Sequence, residues 1–238
     1  LSVQHEIVAK IKGYQKVIDG ARAVVDNYRP HIAIQPDWPE TTIARCCDVK
    51  GGKRLPKGAR FANKRTDYPY IRVSDLRAGT VDTSDLKYIS EEIHEQIARY
   101  TISSDDVYIS IAGTIGLMGT IPQALNGANL TENAAKLVFD PAKIDGRFLC
   151  LLGNSEAVQS QIRSLTHAVG VPKLALSRIR TLRIPLPPLA TQQAIVAEIE
   201  AEQALVAANR ELIARFEAKI QATLARIWGE DEAAPAEA

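Results

Sequence analysis

Nine basic side chains crowd one segment: Arg45, Lys50, Lys53, Arg54, Lys57, Arg60, Lys64, Arg65 and Arg72, opposed only by Asp48 and Asp67. Inside it, the run KGGKRLPKGARFANKR holds three glycines and one proline, which predicts a flexible cationic loop and not a helix face. Glycine lets backbone N–H groups approach an oxyanion, and long cationic side chains suit phosphate oxygens. Residue type divides the expected roles. Lys53, Arg54 and Lys57 lie close together and suit a phosphate backbone. Arg60 or Arg65 suits a guanine edge, because a guanidinium bridges two acceptors where Lys offers a point charge. Two further loops carry candidates. AGTIGLMG reads as a tight strand–strand turn with Thr114 near its tip, and HAVGVPKLALSRI presents Lys173. On many proteins such a basic run is only a solvated surface. Here the whole chain carries a net charge of only +1, so its charge is segregated, which favours a binding role.

Other chemistries find little support. There is no N/D-P-P-Y/F tetrapeptide of the adenine methyltransferase kind, no G-x-G-x-x-G and no G-x-x-x-x-G-K-[ST]. Asp37 with Glu217 and Lys219 is a poor match to a nuclease cluster, since Glu217 falls in a long helical pattern. His167 reads as a loop or core histidine. Cys46, Cys47 and Cys150 form no disulfide framework and no metal spacing, which fits a reduced, cytoplasmic setting. No apolar run approaches the ~18 residues of a membrane span, and no signal peptide is visible. No catalytic residue, cofactor or metal is expected; the economical reading is binding.

The elements that must position the cations differ along the chain. Residues 31–188 mix strand-like runs (YPYIRVSDL, DDVYISIAGTIGLMGTIP, AAKLVFD) with helical ones (SEEIHEQIARY, and GRFLCLLGNSEAVQSQIRSL broken near Gly153-Asn154). Without regular alternation, this predicts an α+β domain. The flanks are copies of each other. Leu1, Gln4, Ile7, Val8, Ala9 and Ile11 recur identically at Leu189, Gln192, Ile195, Val196, Ala197 and Ile199, and the pattern continues without a gap to Tyr28 on Phe216. In the first copy Ile11, Ile18 and Val25 recur every seventh residue. In the second, Ile199, Val206, Ile213, Ile220 and Ile227 do so, with polar Glu202 and Asn209 in the complementary position. Seven-residue spacing keeps one seam facing a partner helix. Gly13 and Gly20 weaken the first helix by ~1 kcal/mol each relative to Ala. Residues 189–228 would span ~60 Å as a helix, longer than a small domain is wide, so a partner is needed along the length. The nearest is the other copy, packed antiparallel. The expected organisation is helix 1–29, domain 31–188, helix 189–228 and a disordered acidic, Ala-rich tail 229–238.

IPLPPLATQQAIVAEIE strongly resembles the segment that closes a target recognition domain in type I restriction-modification specificity subunits, and GGKRLPKG, YPYIRVSDL, AGTIG and IRTLRIPLPPL follow in the family's order. The resemblance covers nearly the whole chain. One departure is Thr191-Gln192, where the family more often has an acidic residue and Gln. The resemblance implies one target recognition domain that reads half of a split double-stranded DNA site. It implies two long helices that pack antiparallel, set the gap between half-sites and contact methyltransferase (M) subunits and, through them, the restriction (R) subunit. A helix–domain–helix chain corresponds to half of that plan. It is expected to be a fragment, a half-subunit that pairs with a second specificity half or with itself, or the tail of a fused methyltransferase; the opening Leu, in place of Met, favours the first or third. The competing reading is a non-enzymatic coiled-coil adaptor whose middle domain binds protein, which would have no need of the basic stretch.

Overall fold

The computed structural model describes residues 2–166 and 172–228. His167, Gly170 and the 229–238 tail lie outside the described residues, as does the Ile227 side chain. The chain divides into two compact units, one made of the residues up to Pro30 with those from Ala197 onward, the other of His31–Val196.

The first unit is helical. Along α1 (Ser2–Asn27), Ile7, Ile11, Tyr14, Ile18, Ala21 and Val25 are turned from solvent while the described side chains between them are exposed, as a 3.5-residue repeat requires. Along α7 (Leu189–Trp228), Ile199 and Val206 are buried and Ile213 and Ile220 half-buried. The two helices pair antiparallel. Tyr14 meets Phe216 edge-on at 5.3 Å and the Tyr28 hydroxyl donates to Glu202 at 3.0 Å, so fourteen residues forward on one helix match fourteen back on the other. The polar seam positions are thereby accounted for. Glu202 accepts from Tyr28, whose ionisation burial and that carboxylate push up to about 12, and Asn209 satisfies itself on the Leu205 carbonyl at 2.8 Å. One flank adds an exposed Arg22–Glu217 pair at 2.9 Å.

The second unit is the mixed α+β domain, whose described residues form three small sheets. Strands β1 (Glu40–Thr42) and β10 (Arg183–Pro185) pair antiparallel and close its two ends together. After α2 (Ile43–Cys46), strand β2 (Cys47–Gly51) joins an antiparallel sheet of order β2-β9-β6-β7, with β6 Val107–Ser110, β7 Met118–Gly119 and β9 Ala134–Phe139. The third sheet runs β4-β3-β8-β5, from β3 (Pro69–Ile71), β4 (Lys87–Tyr88), β5 (Thr101–Ile102) and β8 (Ala128–Leu130), with β3 and β8 parallel. Ile71, Ile102, Tyr108, Ile121 and Leu130 belong to one buried core cluster. Ser90 caps α3 (Glu91–Ile97), and Asp145 caps α4 (Gly146–Gly153) by accepting from the amides of Arg147 and Phe148. The expected break falls before α5 (Glu156–Thr166), where the Asn154 amide bonds both backbone groups of Met118. α6 (Leu176–Thr181) precedes β10. No helix among the described residues is long and apolar enough to cross a membrane.

Candidate nucleic-acid interface

The cationic segment leaves β2 at Gly51 and reaches β3 at Pro69 with no secondary structure of its own. It is nevertheless held at several points, and the expected flexible loop is in fact a tethered one. The Lys53 amide donates to the Leu130 carbonyl at 2.8 Å, and the Tyr70 hydroxyl donates to the Lys53 carbonyl at 2.8 Å. Further along, the Ala62 amide donates to the Tyr88 carbonyl at 2.8 Å, and the Thr66 hydroxyl to that of Ile89 at 2.7 Å. Two apolar residues between the cations anchor it. Leu55 and Phe61 pack on the small core of Tyr70, Ile89 and Ile97, and Phe61 meets Tyr70 edge-on at 5.5 Å. Gly52 is obligatory, because a Cβ there would sit 2.1 Å from the Thr131 carbonyl. Gly58 turns the loop at φ +84°, a region that other residues avoid.

This scaffold sends the cations outward. Lys50, Lys53, Arg54, Lys57, Arg60, Lys64 and Arg65 are all exposed. Lys57, Arg60 and Lys64 have no hydrogen-bond or ion-pair partner among the described residues. Lys50 is 3.7 Å from Asp48, and Arg54 is held 3.0 Å from Glu132. Exposed pairs of this kind contribute about 0–1 kcal/mol, so exchange for a phosphate is cheap. Arg65 lies over the Tyr88 ring at 5.9 Å.

Arg72 stands apart from the other predicted site residues. Its side chain is half-buried, bonded to Asp75 at 2.6 Å and to Asp85 at 3.2 Å, and Asp75 also accepts from the Arg72 amide at 2.8 Å. The Asp75 hydrogen bond, ahead of the Asp85 one, raises the Arg72 pKa further. This side chain braces the short turn Val73–Asp75 after β3 and presents no free cation.

The turn that links β8 to β9 gathers the other candidate loops. Gly52 and Lys53 bond Ala134 and Leu130, the Ile111 amide donates to Asn133 at 2.8 Å, and the Leu174 amide donates to Ile111 at 2.9 Å. Exposed Lys173 is thus carried beside the hairpin from Ile111 to Leu117, whose tip holds exposed Thr114. Sequence reasoning missed Arg99 and Tyr100. Arg99 lies 4.8 Å above the Tyr100 ring and donates to its hydroxyl at 2.6 Å, and Lys53 approaches the same ring at 5.8 Å. The signal in the sequence is an Arg-Tyr dipeptide, which lies in the 3-10 turn Ala98–Tyr100 that follows α3. Arginine and lysine around one aromatic ring, beside the tethered loop, make a surface suited to phosphates and to base faces.

Residues 36–218 match the family described as type I restriction modification DNA specificity domain. The chain is 27% identical over 185 residues to the specificity subunit of the type I restriction enzyme EcoBI from Escherichia coli, covering 74% of this chain and 36% of that protein. It is 26% identical over 183 residues to that of EcoKI from Escherichia coli strain K12, covering 76% and 38%. The chain therefore spans well under half the length of these relatives. Its fold resembles the crystal structure of the HsdS subunit from Thermoanaerobacter tengcongensis, with a TM-score of 0.59 at 19% identity, over 94% of this chain and 57% of that one. It also resembles part of the type IIG restriction endonuclease BpuSI, with a TM-score of 0.53 at 14% identity, over 84% of this chain and 33% of that one.

Proposed function

The chain belongs to the type I restriction modification DNA specificity family, and on that premise we propose that its α+β unit reads one half of a two-part double-stranded DNA target. The helix pair docks methyltransferase subunits and, through them, the restriction subunit. A second specificity half, or a second copy of this chain, supplies the other half-site. The chain itself is a recognition module and not an enzyme, and its setting is the cytoplasm, where its target lies. The observation that carries the reading is the tethered loop: exposed cations from Lys50 to Arg65 on a backbone held at Lys53, Ala62 and Thr66, with Arg99 and Lys53 sharing the Tyr100 ring. Free cations gain affinity by releasing DNA counterions, and fixed ones also gain register.

The test is selection from a pool of random duplexes by the purified chain, followed by anisotropy titrations of the enriched sequence against scrambled DNA over a salt series. The expected result is an enriched motif whose affinity falls as salt rises, with part of that dependence removed by loop substitutions. No salt-dependent binding and no enrichment, together with tight capture of a protein through the α+β unit, would instead establish the adaptor reading.

A further inference from the structure

Cys46 ends α2 and Cys47 begins β2. Inside a strand, neighbouring side chains point to opposite faces. The helix-to-strand junction removes that alternation here, and the two Sγ atoms lie 3.8 Å apart. The first sulfur is steered by its own helix, facing the carbonyls of Thr42 at 3.4 Å and Ile43 at 3.7 Å. Cys46 is half-buried and reachable, while Cys47 is 7% exposed behind it.

A direct disulfide suits this pair poorly. Adjacent Cα atoms are about 3.8 Å apart across a trans peptide, below the ~4.4–6.8 Å that unstrained disulfides span. A single atom inserted between the sulfurs relieves that strain, because each sulfur then bonds to the bridge and not to its neighbour. We propose that Cys46 and Cys47 form a dithiol site for a soft bridging thiophile, of which a trivalent organoarsenical is the simplest representative.

The chemistry balances without an oxidant. Cys46 Sγ bonds to the arsenic of an arsine oxide and its proton passes to the arsenic-bound oxygen. Cys47 Sγ forms the second As–S bond and gives up its own proton. The oxygen leaves as one water, and arsenic stays trivalent. The hydrogen bond from Cys47 lowers the Cys46 pKa, which makes the reachable sulfur the first nucleophile. The remaining thiol serves as an internal control. Cys150 lies in α4 at 4% exposure, and burial pushes it up to about 12, so it stays protonated and shielded.

The probe is phenylarsine oxide, added to the folded chain and read by intact mass. The wild type should gain the mass of one phenylarsine oxide less one water, that is, one phenylarsenic group in place of two thiol protons. That adduct should resist excess monothiol and yield to 2,3-dimercaptopropanol. Two-point attachment gives a retention advantage of about a hundredfold, which Cys46→Ser and Cys47→Ala should each abolish and Cys150→Ser should leave intact. Circular dichroism of Cys46→Ser, the partly exposed position, confirms that its loss is not unfolding. A monothiol-resistant adduct on Cys47→Ala, or a folded wild type that takes up no arsenical until denatured, would overturn the assignment.

Discussion

Replacing Gln192 should show what the most family-specific stretch of the sequence is for. Its side chain is fully buried at the start of α7. Its Nε2 donates to the carbonyls of Lys143 at 3.0 Å and Pro187 at 2.8 Å, and its Oε1 accepts from the Asp145 amide at 2.9 Å. One amide thus ties the first turn of the helix to the loop before α4. Gln192→Ala removes three hydrogen bonds at about 1 kcal/mol each and strands buried partners at up to ~1–3 kcal/mol apiece. Water entering the space recovers part of this, so a net loss of about 3 kcal/mol is expected. Gln192→Glu keeps the volume but turns an acceptor toward two carbonyls, leaving only the Asp145 amide as donor. Its carboxyl should have a folded pKa raised above the ~4.3 of an unfolded chain. The penalty is absent while both states are protonated and grows as pH rises through the window above that value. Urea midpoints at pH 4 and pH 7 measure both effects. A Gln192→Ala loss under about 1 kcal/mol, or a Gln192→Glu deficit no larger at pH 7 than at pH 4, would refute the reasoning.

Gly13→Ala and Gly20→Ala should each raise stability by about 1 kcal/mol in thermal melts, since both sit in open space on a helix. Ile213→Asp should cost several kcal/mol by burying an unpaired carboxylate in the helix seam, read by loss of helical signal at lower denaturant. Asp85 is held below its ordinary 3.8 by hydrogen bonds first from Lys87 and then from Arg72. Its contribution is present above the unfolded pKa and lost as pH falls through the lower folded one, so Asp85→Asn should be destabilising at pH 7 and neutral near pH 2. Lys57→Ala should weaken DNA binding evenly across sequences and lower the salt slope by about one unit, whereas Arg60→Ala or Arg65→Ala should cost ~1–3 kcal/mol at one base position; single-base variant panels separate the two behaviours.

What the sequence makes legible depends on how far apart the interacting residues lie. The helices are readable because a seam of every third and fourth residue is a local pattern, and the buried positions of α1 follow it without exception in the described side chains. The acid at Glu202 looks like a defect in that seam until its partner is known, and Tyr28 is 174 residues away. The cations are equally legible, but their tethers are not. Leu55 and Phe61 read as ordinary loop residues, and only the fold brings them to Tyr70 and Ile89. Arg72 shows a different limit of such a reading. Its bracing partner Asp75 lies three residues on, within reach of a local reading, but counting charges conceals pairing. Arg99 is masked for the opposite reason, as one more residue of a helical pattern that the structure continues past Ile97 as the 3-10 turn Ala98–Tyr100.

Tethering changes what a cationic loop can discriminate. A mobile loop finds phosphates on any duplex, and ordering its side chains and backbone costs free energy at the moment of binding. It gains affinity from counterion release without favouring a sequence. A loop already fixed by the Lys53, Ala62 and Thr66 hydrogen bonds and by Phe61 on Tyr70 avoids much of that cost. It also cannot shift to suit whichever base is opposite, so a mismatched edge leaves a guanidinium unpaired. The lysines at Lys57 and Lys64 remain adaptable at the end of long stems, which suits the backbone. Arg65 lies 5.9 Å from the Tyr88 ring and Arg99 4.8 Å from the Tyr100 ring, whose hydroxyl it also bonds, and a planar donor held in register is what a base edge requires. On the proposed reading, a division of phosphate grip from base choice by how firmly each side chain is held would make Arg65→Ala more base-selective in its effect than Arg60→Ala, which the same single-base panels measure.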